Sequence, residues 1–220
     1  MASDVIWLVR HAQSTANAGA PAANYPTIPL SELGWLQARS FVKRVPRAPE
    51  RIVWSPFLRA RQTAEPLLAQ FPHVPTAEMP VEEFSYLHFP GDRELTWQDR
   101  APRVEEYWAR QDPLHRDGGV GESYADLVER VRQFLHAARD WRGFQVVFSH
   151  EQFMRGVALQ VLTGQLQATD KSMALFALWR HSFRIPNVAV LALCHQGDAW
   201  WLATSDAPPD PLHHAGTSHA

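Results

Sequence analysis

Short continuous apolar runs alternate along the chain with longer stretches of helical period. Val5–Val9 is such a run, and it passes directly into Arg10, His11 and a polar stretch ending at Gly19. Ile52–Trp54 has the same character, and so has Phe144–Phe148 apart from Gln145. Runs this short, without polar alternation, predict strands buried on both faces. Met173–Trp179 and Val188–Leu193 read as two later strands.

Between the runs lie helix signals. Ser31 is placed to cap a helix whose apolar positions include Leu33, Leu36, Phe41 and Val45, ended by Pro46 and Pro49. Ser55 and Pro56 read as a cap and first-turn proline ahead of Arg59, Thr63 and Leu67, with a kink or split expected at Pro66. Ser123 and Asp126 form a variant capping box before Leu127, Val131, Leu135 and Ala138, an apolar stripe on one helix face. A further helix is predicted from about Gln152 to Leu162, closed by Gly164.

Strands alternating with helices predict an α/β fold in three layers, a mostly parallel central sheet with helices on both faces. Residues 72–121 carry Pro, Gly and many aromatics without a clean period, and predict an inserted cap segment around 84–121. A single domain is expected over 1–202, with a disordered tail over 203–220.

Composition narrows the picture by exclusion. With 21 basic and 23 acidic residues the formal net charge is −2, so no global field favours nucleic acid or an anionic membrane. An anion site must be a local pocket. One cysteine, Cys194, excludes a disulfide framework and suits a reducing compartment. The run Val5–Val9 is too short for a membrane span or signal core, so cytoplasm is the expected location. His213, His214 and His219 fall in the expected tail and read as incidental.

In open α/β sheets ligands bind beyond the carboxyl ends of the strands. Arg10, His11, Ser55, Ser149 and His150 all fall at predicted strand ends. A lone Arg-His doublet says little, and Arg180-His181 is a second in the same chain. The ordered set says more: Arg10-His11-Ala12-Gln13-Ser14-Thr15-Ala16-Asn17, then Ser55-Pro56-Phe57-Leu58-Arg59-Ala60-Arg61-Gln62-Thr63-Ala64, then Ser149-His150. Leu30-Ser31 with Gly34, Gln37 and Ala38, and Gly121-Glu122-Ser123, add to it. This set resembles the histidine phosphatase superfamily, the phosphoglycerate-mutase-like proteins, over nearly the whole chain to about residue 195.

The resemblance implies that His11 is a nucleophile that becomes a phosphohistidine, and that Arg10, Arg59 and His150 hold the phosphate. Asn17 is a further candidate phosphate contact. It also implies a general acid and base two residues beyond an apolar position. Val81-Glu82-Glu83-Phe84 places that role on Glu83, with Glu82 as runner-up, and Tyr86 and Leu87 resemble a phosphatase-like branch.

The chemistry is consistent on its own terms. A phosphate monoester is nearly a dianion, and its transfer requires neutralised equatorial oxygens and an in-line nucleophile. Two guanidiniums supply charge and forked donors, and a neutral imidazole divides one displacement into two. No cofactor or metal is expected, and the expected partner is a small phosphate monoester; oligomeric state is left open.

Two positions depart from the family pattern: Ala12 and Glu151 stand where glycine is usual. A positive φ at Ala12 would be strained, and a carboxylate at Glu151 would repel phosphate. Hence the alternatives: a phosphomutase, disfavoured because Gln13 replaces the glutamate usual in mutases, or a catalytically impaired phospholigand-binding protein. Arg93, Arg100, Arg103 and Arg110 of the inserted segment are candidates to frame the leaving group.

Overall fold

The computed structural model describes residues 4–22, 25–88, 94–196 and 198–203. Residues 204–220 of the expected tail, with its three histidines, and Arg93 lie outside these residues, while Ala203, expected to open the tail, belongs to the last strand. Six strands form one sheet: β1 (Asp4–Arg10), β2 (Arg51–Trp54), β3 (Thr76–Glu78), β4 (Phe144–Ser149), β5 (Val190–Gln196) and β6 (Ala199–Ala203), in the order β3-β2-β4-β1-β5-β6. The first four run parallel, and β5 and β6 return antiparallel. The sheet is therefore mostly parallel, as its apolar runs predict.

Alternation along the strands builds two cores. Val5, Trp7 and Val9 point to one face with Ile52, Val146 and Phe148, and pack on α1 (Glu32–Phe41) and α2 (Leu58–Gln70). Ile6, Leu8, Val53 and Val147 point to the other. There they meet α4 (Tyr124–Ala138), α5 (Glu151–Thr163) and α6 (Asp170–Ser182). The result is three layers. Trp7 is fully buried, with ring centroids 5.1 Å from Phe144 and 6.4 Å from Phe41.

The stretch expected as an insertion contributes α3 (Trp97–Arg110), started by a capping box between Thr96 and Asp99. Its inner face is aromatic. Phe84, Tyr86, Tyr107 and Trp108 share one cluster, and Trp108 stacks on Phe176 of α6 at 5.8 Å. Among the described residues no helix is long and apolar enough to cross a membrane.

Several expectations need correction. Met173–Trp179 is not a strand but the middle of α6, capped by Thr169, whose side chain accepts from the Ser172 N–H. Met173 and Phe176 face the core while Leu178 is 70% exposed, which is helical spacing. Leu33 and Leu36 of α1 are exposed at 49% and 58%; Gly34, Ala38 and Phe41 are the buried positions. The second helix starts at Leu58 with Phe57 as its cap, and it runs through Pro66 without a break. Val188 precedes β5 in a left-handed conformation, φ 53°, instead of joining the strand. The short strands β3 and β6 were not anticipated.

Candidate active site

β1 and β4 end side by side, with Arg10 paired to Ser149, and β2 ends next to them with Trp54 paired to Phe148. Arg10-His11, Ser55 and Ser149-His150 therefore emerge together at the carboxyl edge of the sheet. The His11 N–H continues the ladder by donating to the Ser149 carbonyl at 2.9 Å. Beyond it every turn of the loop is anchored. The Ala12 N–H donates to Thr63 Oγ1 at 3.0 Å, the Gln13 N–H to Gln37 Oε1 at 2.9 Å, and Asn187 Nδ2 donates to the His11 carbonyl at 2.8 Å. Gly34 lets α1 approach this loop, because a Cβ there would lie 2.0 Å from the Gln13 carbonyl oxygen.

Arg10, His11, Asn17, Arg59 and Glu83 line one pocket of about 430 Å³. His150 lies just beneath its floor, fully buried, its ring centroid 4.9 Å from that of His11. Glu82 does not line the pocket; its carboxylate is 3.8 Å from Arg130.

The electrostatics of the floor follow from burial. His11 Nδ1 is 2.7 Å from the Ala12 carbonyl, which can only accept, so Nδ1 carries the proton and Nε2 the lone pair. Arg59 Nε donates to that Nε2 at 3.2 Å. Burial, then Arg59 and Arg10, hold the imidazole well below the ordinary histidine range, so it is neutral at neutral pH. The same burial lowers Arg59 to about 10, leaving it cationic, and its Nη1 donates to the Tyr25 carbonyl at 2.7 Å.

Glu83 Oε1 accepts from its neighbour Phe84 N–H at 3.1 Å and from Gln152 N–H, on the first turn of α5, at 2.9 Å. Burial pushes its carboxyl up, against the pull of Arg59 and Arg10. His150 Nε2 is 2.6 Å from Ser55 Oγ, and its Nδ1 has no partner among the described residues. Burial, then Arg59 and His11, keep it too well below the usual range, which favours a neutral donor over an imidazolium.

The profile of the histidine phosphatase superfamily (branch 1) matches residues 6–206. The chain belongs to that superfamily. It is 28% identical over 165 residues to the adenosylcobalamin/α-ribazole phosphatase of Salmonella typhimurium, covering 72% of this chain and 79% of that protein. Among solved structures it matches a putative α-ribazole-5′-P phosphatase from Escherichia coli, with TM-score 0.70 and 19% identity over 91% of this chain and 95% of the other. It also matches the mycobacterial glucosyl-3-phosphoglycerate phosphatase, with TM-score 0.69 and 22% identity over 93% and 99%. At these identities the structures establish the fold.

Both departures from the superfamily pattern are accommodated. Ala12 is not among the described residues with positive φ, and its methyl packs with Leu30 and Ala38. Glu151 does not face a phosphate alone. Its carboxylate is 3.1 Å from Arg10 Nη1 and is bonded by Arg155 Nη2, four residues along α5. It also accepts from the Ile185 N–H at 3.3 Å. Arg10 is thus fixed on both sides, since its Nη1 also donates to the Ile185 carbonyl at 2.6 Å, while its buried Nε keeps no partner.

Of the three described arginines expected to frame the leaving group, Arg100 lines the pocket and Arg103 and Arg110 do not; the Arg100 Nη2 is held by the Ala22 and Leu95 carbonyls. Arg103 pairs with Asp117 at 2.5 Å and Arg110 with Glu106 at 2.8 Å, both away from the pocket. Sequence reasoning missed the true companions, Arg155, Arg180 and Arg184. No motif marks them, and Arg180 even belongs to the doublet that looked accidental. Among the described residues no group of three or more His, Cys, Asp or Glu side chains is placed to hold a metal ion.

Proposed function

We propose that this chain hydrolyses small phosphate monoesters through a phosphohistidine on His11. The observation that carries this reading is the floor itself: a buried, neutral imidazole whose proton is fixed on Nδ1 and whose Nε2 lone pair stands next to two guanidiniums. The named activities of the Salmonella and mycobacterial relatives, both phosphatases, support the reaction class.

In the first step the phosphate docks on Arg59 and the unpartnered edge of Arg10, with Asn17 at the mouth. Arg59 turns from His11 to the phosphate, freeing Nε2. The Nε2 lone pair attacks phosphorus as the bond to the leaving oxygen breaks, and Glu83 delivers its proton to that oxygen through the carboxyl oxygen not engaged by backbone N–H groups. His150, with Ser55 donating to its Nε2, offers Nδ1–H to the phosphoryl oxygens where charge accumulates. In the second step Glu83 takes a proton from water, the water oxygen attacks phosphorus, and the P–N bond returns its electrons to His11.

Rapid acid and alkaline quenching of the enzyme with 32P-labelled phenyl phosphate tests the reading. The expected label is stable in alkali, lost in acid and absent in His11→Asn. Full turnover with no label, or label retained by the variant, overturns it. An added alcohol acceptor in the same assay separates hydrolysis from transfer.

A further inference from the structure

The pocket is larger than a phosphate requires and carries more positive charge than a phosphate can use. Its volume of about 430 Å³ suits a whole small molecule. Among the described residues six arginines line it, Arg10, Arg59, Arg100, Arg155, Arg180 and Arg184, against two carboxylates, Glu83 and Glu151. Glu151 is already shared between Arg10 and Arg155. Arg59 and Arg10 are committed to the transferring phosphate in the reading above. Arg100 is tied to two carbonyls and lies over the Tyr25 ring at 4.9 Å.

Arg180 and Arg184 remain. Among the described residues neither pairs with a carboxylate, although both stand on the pocket wall where α6 ends. The Arg180 guanidinium lies 5.0 Å over the Trp108 ring, so its position is fixed by the aromatic core and not by a counter-charge. Arg184 is exposed. Between them, His181 also lines the pocket. Its imidazole is held below the ordinary range, chiefly by Arg180 and then by burial, Arg184 and Arg155. Arg155, Arg180, His181 and Arg184 share one field, and among the described lining residues the carboxylates that offset it are Glu151 and Glu83.

We propose that Arg180 and Arg184 form a second anion subsite, which binds an oxyanionic group, carboxylate or phosphate, on the leaving-group side of the substrate. The proposal rests on the phosphatase reading and narrows it to substrates with two anionic ends. Ile28, Leu95 and Trp97 also line the pocket and offer apolar surface to the part that joins those ends.

The test compares ω-carboxyalkyl phosphates of graded chain length with ω-hydroxyalkyl phosphates of the same lengths. Wild type is expected to prefer the carboxylate by about tenfold or more in kcat/KM at its best length, the size of one charge-assisted contact. In Arg184→Gln, and further in Arg180→Gln/Arg184→Gln, the ratio should fall toward one. Arg184→Glu should shift preference to ω-aminoalkyl phosphates. Because Arg180 also covers Trp108, the exposed Arg184 variants carry the result if the double variant melts early. No carboxylate preference at any length, or a preference that survives Arg184→Gln, overturns the subsite. The hydroxyalkyl series reads the phosphatase assignment by itself. If neither series is hydrolysed that assignment fails, and the subsite is judged by calorimetric binding of the carboxyalkyl phosphates, where equal affinity of wild type and Arg184→Gln overturns it.

Discussion

On the pocket floor, at the carboxyl edge of the parallel strands, His11, Arg59 and Glu83 each hold a backbone partner, with His11 and Arg59 buried and Glu83 half-buried. On the outer wall, Arg184 and Trp97 are exposed, Trp97 at 63%, and they are carried by helix ends and the inserted segment. These bonds hold the floor groups close to their working positions, with only the Arg59 bond to His11 exchanged for the phosphate, so most of their ordering is completed in folding and not in each catalytic cycle. Groups on the wall can be exchanged without disturbing the sheet. Substitutions on the floor should therefore lower kcat, while those on the wall should alter which substrate is preferred.

The sharpest way to break that contrast is at the nucleophile. His11→Ala should lower turnover of phenyl phosphate by about four orders of magnitude or more, with an unchanged far-UV circular dichroism spectrum. Residual activity within about tenfold of wild type would remove His11 from the reaction. Wild-type activity should also hold as pH drops past about 6.5, because the His11 imidazole protonates only well below that value. An acid limb at the ordinary histidine pKa would contradict the neutral buried ring.

Glu83→Gln comes next. Alkyl phosphates, with poor leaving groups, should lose roughly 10²–10⁴ in kcat, and aryl phosphates much less in the phosphorylation step. Since burial raises the Glu83 pKa, the acid form is retained to higher pH than for an exposed carboxyl, and alkyl turnover falls as pH rises through that raised value. The alkaline limb should vanish in the variant. Equal losses on both substrate classes would make Glu83 structural, and Glu82→Gln run in parallel should have little effect.

Smaller effects separate scaffold from chemistry. Gly34→Ala, which drives a methyl into the Gln13 carbonyl, should cost about 1–3 kcal/mol in denaturant unfolding and displace the loop that carries His11. Glu151→Gln should tighten inhibition by inorganic phosphate, because Arg10 loses a competing carboxylate, while stability drops by about 1–3 kcal/mol as buried Arg155 loses its ionic partner. Weaker phosphate inhibition would show that Glu151 positions Arg10 more than it competes for it. Ala12→Gly should change least, costing no more than about 1 kcal/mol and leaving kcat within a factor of about two.

Much of the floor was legible because its residues sit where strands end. Val5–Val9 is apolar throughout and Phe144–Phe148 is apolar apart from Gln145, as strands buried on both faces are, and each hands its polar successors to one edge. The wall was not legible for the opposite reason. Met173–Trp179 is an apolar run of strand length, and only its neighbours in space reveal that Met173 and Phe176 face inward while Leu178 does not. Misreading it as a strand hid the fact that Arg180 and His181 continue a helix into the pocket, with Arg184 just past its end. Edge strand β3 was similarly quiet, since Thr76 and Glu78 are exposed and give no apolar signal, whereas β6, Ala199–Ala203, is apolar throughout and its signal was passed over. Glu83 was separable from Glu82 only once α5 supplied the Gln152 N–H to one of them.

The Arg59 bond to His11 Nε2 also bears on unwanted chemistry. A neutral acylating or alkylating reagent meets a lone pair already in use and gives the guanidinium no reason to release it. An anionic electrophile does, because it is a better acceptor than an imidazole nitrogen. The phosphate ester in effect unlocks its own attacker. Diethyl pyrocarbonate should accordingly modify exposed His181 well before His11, and an oxyanion that draws Arg59 away without filling the site should be able to invert that order.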